Sequence, residues 1–230
     1  MFFDRIAPSK PAGIACQQSM RDDETSTIPV PTPTCFRSSI MSPNPLPPTP
    51  PTGKLHARVN AAAHALERAN LKLVLAESCT AGLVAGLLGG VPGISRFLCG
   101  SMVVYQEATK RAWLDIPDDL LAEFGTVAAE ISEALAASVL ERTPAADLAV
   151  AVTGHLGPAA PEELDGKVFV AIRFRDGEFH LAECRLPPAA GSPESARCER
   201  QRLAVEFVLD LLQEACHSKI ASEPPSREVN

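Results

Sequence analysis

From Lys54 onward, apolar residues recur at helical spacing. Leu55, Val59, Ala62, Ala63, Leu66 and Ala69 fall on one face and predict a helix ending near Asn70. The short apolar run at 71–76 suits a strand buried on both faces. Residues 80–88 predict a second helix, stopped by the Gly-Gly-Val-Pro-Gly turn at 89–93. A run rich in valine and aromatics at 97–105 predicts a second strand, followed by short helices at 108–114 and 118–124. Ile131, Leu135, Val139 and Leu140 stripe a longer amphipathic helix over 128–140. Strands follow at 147–153 and 168–174. Asp176-Gly177 signals a hairpin into a strand at 178–184. The last helix starts near Ser192 or Ser195 and runs to about Leu212. Helices alternating with strands, then a hairpin, predict an α/β fold: a three-layer α/β/α sandwich around a mixed sheet, without internal repeats.

The pattern divides the chain. Eleven of the 21 prolines lie within residues 1–53. So proline-rich a segment can neither continue a helix nor supply a backbone ladder, and it predicts a disordered extension. The regular pattern predicts one domain over 54–214 and a flexible tail over 215–230.

Composition narrows the options. A net charge of −7 argues against a nucleic-acid-binding surface, which needs a basic face. The seven cysteines form no CxxC pair and no zinc-spaced Cys/His cluster, so reduced, buried thiols are expected and no metal or cofactor is predicted. Asp4 and Arg5 interrupt the start of the chain where a signal peptide would need an apolar run. No stretch approaches the roughly 20 apolar residues of a membrane span. A cytoplasmic protein without membrane partners is expected.

Candidate chemistry gathers where predicted strands end, the edge at which α/β proteins bind ligands. Ser78 stands between the first strand and the second helix. Amides at the start of that helix, near Cys79 and Thr80, would face the same spot and suit the oxyanion of an acyl transfer. The same position equally suits a serine that caps a helix. Tyr105 ends the second strand, and Lys110 sits on the first turn of the next helix. There the helix dipole lowers a lysine's pKa, and a neutral lysine can serve a serine as base. Thr153 and Gly154 end the third strand, and His155 beside them is a rival base. Arg197 and Arg202, near the start of the last helix, are candidates to hold a phosphate.

Taken in order, Ala-Glu-Ser-Cys-Thr-Ala-Gly at 76–82, Val-Pro-Gly at 91–93, Tyr105 to Lys110, Gly-Thr-Val at 125–127, and Ala-Val-Thr-Gly at 151–154 with Gly157-Pro158 resemble the CinA C-terminal domain family. Its members include nicotinamide mononucleotide deamidases. The resemblance covers about residues 54–212. It implies a serine amidohydrolase that converts the carboxamide of nicotinamide mononucleotide to nicotinate mononucleotide and ammonia. Ser78 would be nucleophile, Lys110 base and Tyr105 an aid to the pair. Cys79, Thr80, Thr153 and Gly154 would line the substrate, with Arg197 or Arg202 on its phosphate. The only partner implied is this small-molecule nucleotide, with no nucleic acid and no membrane; a homo-oligomer is compatible. Departures are Ala81 for a usual glycine, Gln-Glu-Ala-Thr between Tyr105 and Lys110, Ala128 for a serine, and a different loop at 159–166. They admit an alternative, a non-catalytic nucleotide-binding or regulatory protein.

Overall fold

The computed structural model describes residues 53–158, 160–188 and 191–222. Helix α1 (Lys54–Ala69) leads into β1 (Leu73–Glu77), α2 (Leu83–Gly89), a 3-10 turn (Ile94–Arg96) and β2 (Leu98–Val103). Then come α3 (Glu107–Leu114), α4 (Asp118–Phe124), α5 (Ala129–Glu141), β3 (Leu148–Gly154), β4 (Lys167–Phe174), β5 (Phe179–Arg185) and α6 (Pro193–Ser222). The strands form one sheet in the order β2-β1-β3-β4-β5. β1 runs parallel to β2 and β3, whereas β4 is antiparallel to both its neighbours. This is the α/β sandwich around a mixed sheet that the pattern predicts.

Two-residue alternation sends each strand's side chains into different layers. Leu73, Leu75, Val150, Val152, Val170 and Ile172 join a core with residues of α1, α2 and α6. Val74, Ala76, Ala149, Ala151 and Ala171 face the other way, against Ile131, Leu135 and Val139 of α5. The alanines on this second face leave little bulk beneath α5, so its large side chains reach the sheet.

The register aligns the ends of the parallel strands. Glu77 of β1 pairs with Val103 of β2 and with Val152 of β3. Ser78, the segment entering α3 and the Thr153-Gly154 pair therefore emerge at a single edge.

Several boundaries differ from the sequence reading, and three of them have a clear physical reason. Helix α2 begins at Leu83 and not at Thr80, because Ala81 (φ 53°) and Gly82 (φ 90°) adopt left-handed conformations that interrupt a helix. β2 stops at Val103, where β1, its only partner strand among the described residues, runs out. α6 continues past the predicted end at Leu212 through residues expected in the tail. Ala215 and Cys216 extend its buried stripe, and Lys219 ties it to Asp176 and Glu178 of the β4–β5 turn. The predicted extension, up to residue 52, and the final residues 223–230 lie outside the described residues.

Candidate active site

Ser78 and Lys110 meet at the aligned strand ends. Lys110 Nζ lies 3.0 Å from Ser78 Oγ, and both residues are buried. Nζ also donates to the carbonyls of Val104, at 2.8 Å, and Tyr105, at 3.4 Å. These carbonyls are free to accept because the chain has left β2 before reaching them. Burial lowers the Lys110 pKa to about 8, outweighing the opposing influence of Cys79 and Glu107. The sequence predicts this depression from the helix dipole; in the structure withdrawal from water is its main cause.

A neutral amine has two hydrogens and one lone pair. With the two carbonyls taking the hydrogens, the lone pair is left for the Ser78 hydroxyl. Among the described residues His155 forms no hydrogen bond with Ser78. Its imidazole instead adds a small share to the electrostatics of Asp165, whose carboxyl Arg200 holds below the usual range.

The other predicted residues fall in different places. The Tyr105 hydroxyl is turned outward and accepts from Arg197, at 2.6 Å, so the residue serves Lys110 through its carbonyl alone. Arg197 also donates to the Gly157 carbonyl. Thr80 directs its hydroxyl to Glu77, at 2.8 Å, and is fully buried. Thr153 is likewise buried, its hydroxyl 2.9 Å from Ser132 Oγ, so neither threonine offers its side chain to a ligand. The Cys79 thiol is enclosed, and burial pushes its pKa up to about 12. It packs under Gly154, where a Cβ would meet the Lys167 carbonyl at 2.9 Å and Cys79 Sγ at 3.0 Å. Gly154 is thus required by close packing.

Of the two arginine candidates, Arg202 is occupied by Glu199 and Glu206. Arg200, which the sequence did not single out, is held by both carboxylate oxygens of Asp165, at 2.6 and 2.8 Å. Among the described residues only neutral groups contact Arg197, which leaves its charge uncompensated. A cleft of about 230 Å³ opens beside it, lined by Leu156, Gly157, Pro158, Pro193, Arg197 and Arg200. Among the described residues there is no cluster of three His, Cys, Asp or Glu suited to a metal.

Glu77 escaped the sequence reading although its signal was present: a carboxylate ending an otherwise apolar strand. It is fully buried and accepts from the amides of Gly82, Val84 and Ala85 and the hydroxyls of Thr80 and Ser101, at 2.8–3.1 Å. The start of α2 is thereby saturated from inside the fold, and Cys79 and Thr80, near which the sequence placed the oxyanion donors, precede this helix. Gln201 also went unnoticed, and nothing in its local sequence signals it. Its carboxamide donates to the carbonyls of Cys79 and Thr80, at 3.2 and 3.1 Å.

Ala81 gives this turn a measurable strain. An alanine at φ 53° carries a left-handed penalty of about 1 kcal/mol that glycine avoids. Ala81→Gly is expected to stabilise the fold by up to about 0.5 kcal/mol, net of the roughly 0.4–1 kcal/mol that glycine's freedom in the unfolded chain costs. Denaturant melts would read this as a higher midpoint at unchanged slope.

Fold and site together define an α/β sandwich protein with a buried serine–lysine pair where its parallel strands end. The chain belongs to the CinA C-terminal domain family, whose model matches residues 55–216. A CinA-like protein of Desulfotalea psychrophila is 38% identical over 151 residues, which cover 65% of this chain and 34% of that protein. One from Myxococcus xanthus is 41% identical over 109 residues, covering 46% and 26%. The chain thus matches about a third or less of the length of these relatives. Among solved structures, competence/damage inducible protein CihA from Agrobacterium tumefaciens superposes with a TM-score of 0.64 at 29% identity, covering 72% of this chain and 97% of that one. A competence-damaged protein (CinA) superfamily protein from Klebsiella pneumoniae gives 0.63 at 26%, covering 72% and 99%. No described helix is long and apolar enough to cross a membrane.

Proposed function

We propose that the protein is a serine amidohydrolase that removes the amide nitrogen of nicotinamide mononucleotide, giving nicotinate mononucleotide and ammonia. The observation that carries the reading is the buried Lys110 Nζ, 3.0 Å from Ser78 Oγ with its other contacts satisfied by carbonyls. Neutral Lys110 takes the hydroxyl proton as Ser78 Oγ attacks the carboxamide carbon. The tetrahedral oxyanion collapses, the C–N bond breaks, and Lys110 returns the proton to the departing ammonia. Water, deprotonated by the same amine, attacks the acyl-serine ester, releases the carboxylate product and restores Ser78.

Substrate choice rests on family membership and on Arg197. A pyridine mononucleotide carries its phosphate at the end away from the carboxamide. Arg197 offers an uncompensated guanidinium, joined to the dyad through Tyr105: the hydroxyl touches Arg197 and the carbonyl touches Lys110. Arg200 and Arg202 are already neutralised by carboxylates. The intact dyad favours catalysis over a purely regulatory nucleotide-binding role.

The test is ammonia release from nicotinamide mononucleotide by the purified full chain. Expected is a rate that rises with pH through about 8, because protonated Lys110 has no lone pair, and levels off above it. No release across this range would sink the proposal. Arg197→Gln should raise KM by about 10–100-fold, as loss of a charged contact worth roughly 1.5–3 kcal/mol implies, with little change in kcat. Equal KM values for the mononucleotide and for free nicotinamide in the unaltered protein would contradict this role for Arg197.

A further inference from the structure

Arg197 and Arg200 stand three residues apart on α6 and hold the same loop at two points. Arg197 donates to the Gly157 carbonyl, and Arg200 takes both carboxylate oxygens of Asp165, at 2.6 and 2.8 Å. The ion pair is itself anchored. Arg200 is buried, and its Nε donates to the Pro187 carbonyl at 3.2 Å. The Asp165 amide donates to Pro161 O at 2.8 Å, and the Asp165 carbonyl accepts from Arg185 at 3.0 Å.

Gly157 rests directly on this pair. A Cβ at Gly157 would lie 3.0 Å from Arg200 Nη1 and 3.3 Å from Asp165 Oδ1, and its φ of 64° is left-handed. The glycine backbone is therefore in contact with the pair, which sets the direction of its carbonyl. That carbonyl takes Arg197 Nη1, while the Tyr105 hydroxyl takes Nη2 at 2.6 Å. Two of the five guanidinium N–H donors are thus committed, among the described residues, to neutral acceptors. They fix the plane of the fork and leave its other donors for an anion in the adjoining cleft.

We propose that the Asp165–Arg200 pair is a positioning device for Arg197: packed against Gly157, it sets the carbonyl that aims the guanidinium into the cleft, and so decides how strongly the site prefers a substrate bearing a phosphate. This rests on the reading of Arg197 as the phosphate's partner. The two charges of the pair neutralise each other, so their contribution to the site is alignment and not attraction.

The test uses the full chain with both members changed, Asp165→Asn together with Arg200→Gln. One charge of each sign is removed, so net charge is unaltered and an effect on anion binding reports geometry. Expected by calorimetry is a dissociation constant for inorganic phosphate raised about three- to tenfold, less than loss of Arg197 itself costs, since the cation remains and only its aim is lost. The KM for nicotinamide mononucleotide should rise by the same factor, with kcat held within about twofold. The dissociation constant for nicotinamide riboside, which carries no phosphate, should not move. A pair that served stability alone would lower the melting temperature without separating ligands with a phosphate from those without. Should the double variant not fold, Gly157→Ala keeps the pair and displaces the carbonyl, and the same separation is expected of it.

An unchanged or lowered phosphate constant would overturn the proposal. So would equal weakening of the mononucleotide and the riboside, because the pair would then act on the whole site and not through Arg197. If the variant binds phosphate less well than the unaltered protein, yet neither releases ammonia, the amidohydrolase reading fails and the role of the pair stands. If the unaltered protein binds no phosphate, the reading of Arg197 and the role of the pair fall together.

Discussion

Ser78→Ala is expected to abolish ammonia release from nicotinamide mononucleotide, a loss on the order of 10⁴–10⁶-fold, because among the described residues no other hydroxyl hydrogen-bonds to Lys110. The change removes one atom at a buried position and leaves Lys110 donating to the carbonyls of Val104 and Tyr105. The fold should therefore survive, with a melting temperature close to that of the unaltered chain. Arg197 and its cleft are untouched, so calorimetry should still register the mononucleotide. A variant that binds and does not turn over separates nucleophile from scaffold. A variant releasing ammonia at the original rate would refute the mechanism.

Lys110→Met should lower kcat by about 10²–10⁴-fold, the usual share of a general base, and erase the rise near pH 8. It should also change how stability depends on pH. In the unfolded chain Lys110 titrates at its ordinary 10.5, and in the fold at about 8. Between those values the unfolded state binds the proton and the folded state does not, so stability rises with pH across that window. Below about pH 8 the cost of confining the cation is present in full; above about 10.5 it is gone. Methionine fills similar space without a charge, and the variant should lack that rise in denaturant melts between pH 8 and 10.5. A rise of equal size in the variant would assign it to other groups.

Much of the architecture was legible along the chain, because apolar periodicity reports which face of each element is buried. The unbroken apolar run of β1, buried on both faces, and the stripe on α5 did so directly. The errors fell where periodicity carries no information. Ala81 and Gly82 delay α2 by their backbone conformation, which hydrophobic spacing does not record. α6 outran its predicted end because Ala215 and Cys216 are weakly apolar and Lys219 is fixed by a turn distant in sequence.

The candidate site divides along the same line. Sequence by itself placed Ser78, Thr153 and Gly154 where strands end, though it ran β2 on to Tyr105, and the ordered family motifs coupled Ser78 to Lys110. Only the tertiary structure decided what each group does, because those roles follow from contacts between segments far apart in the chain. Lys110 acquires the lowered pKa that the proposed base needs through burial against carbonyls beyond β2. Thr80 and Thr153 become structural because buried partners occupy their hydroxyls. Arg197 is distinguished from Arg200 and Arg202 by the absence of a described carboxylate partner, which no spacing of arginines along a helix encodes.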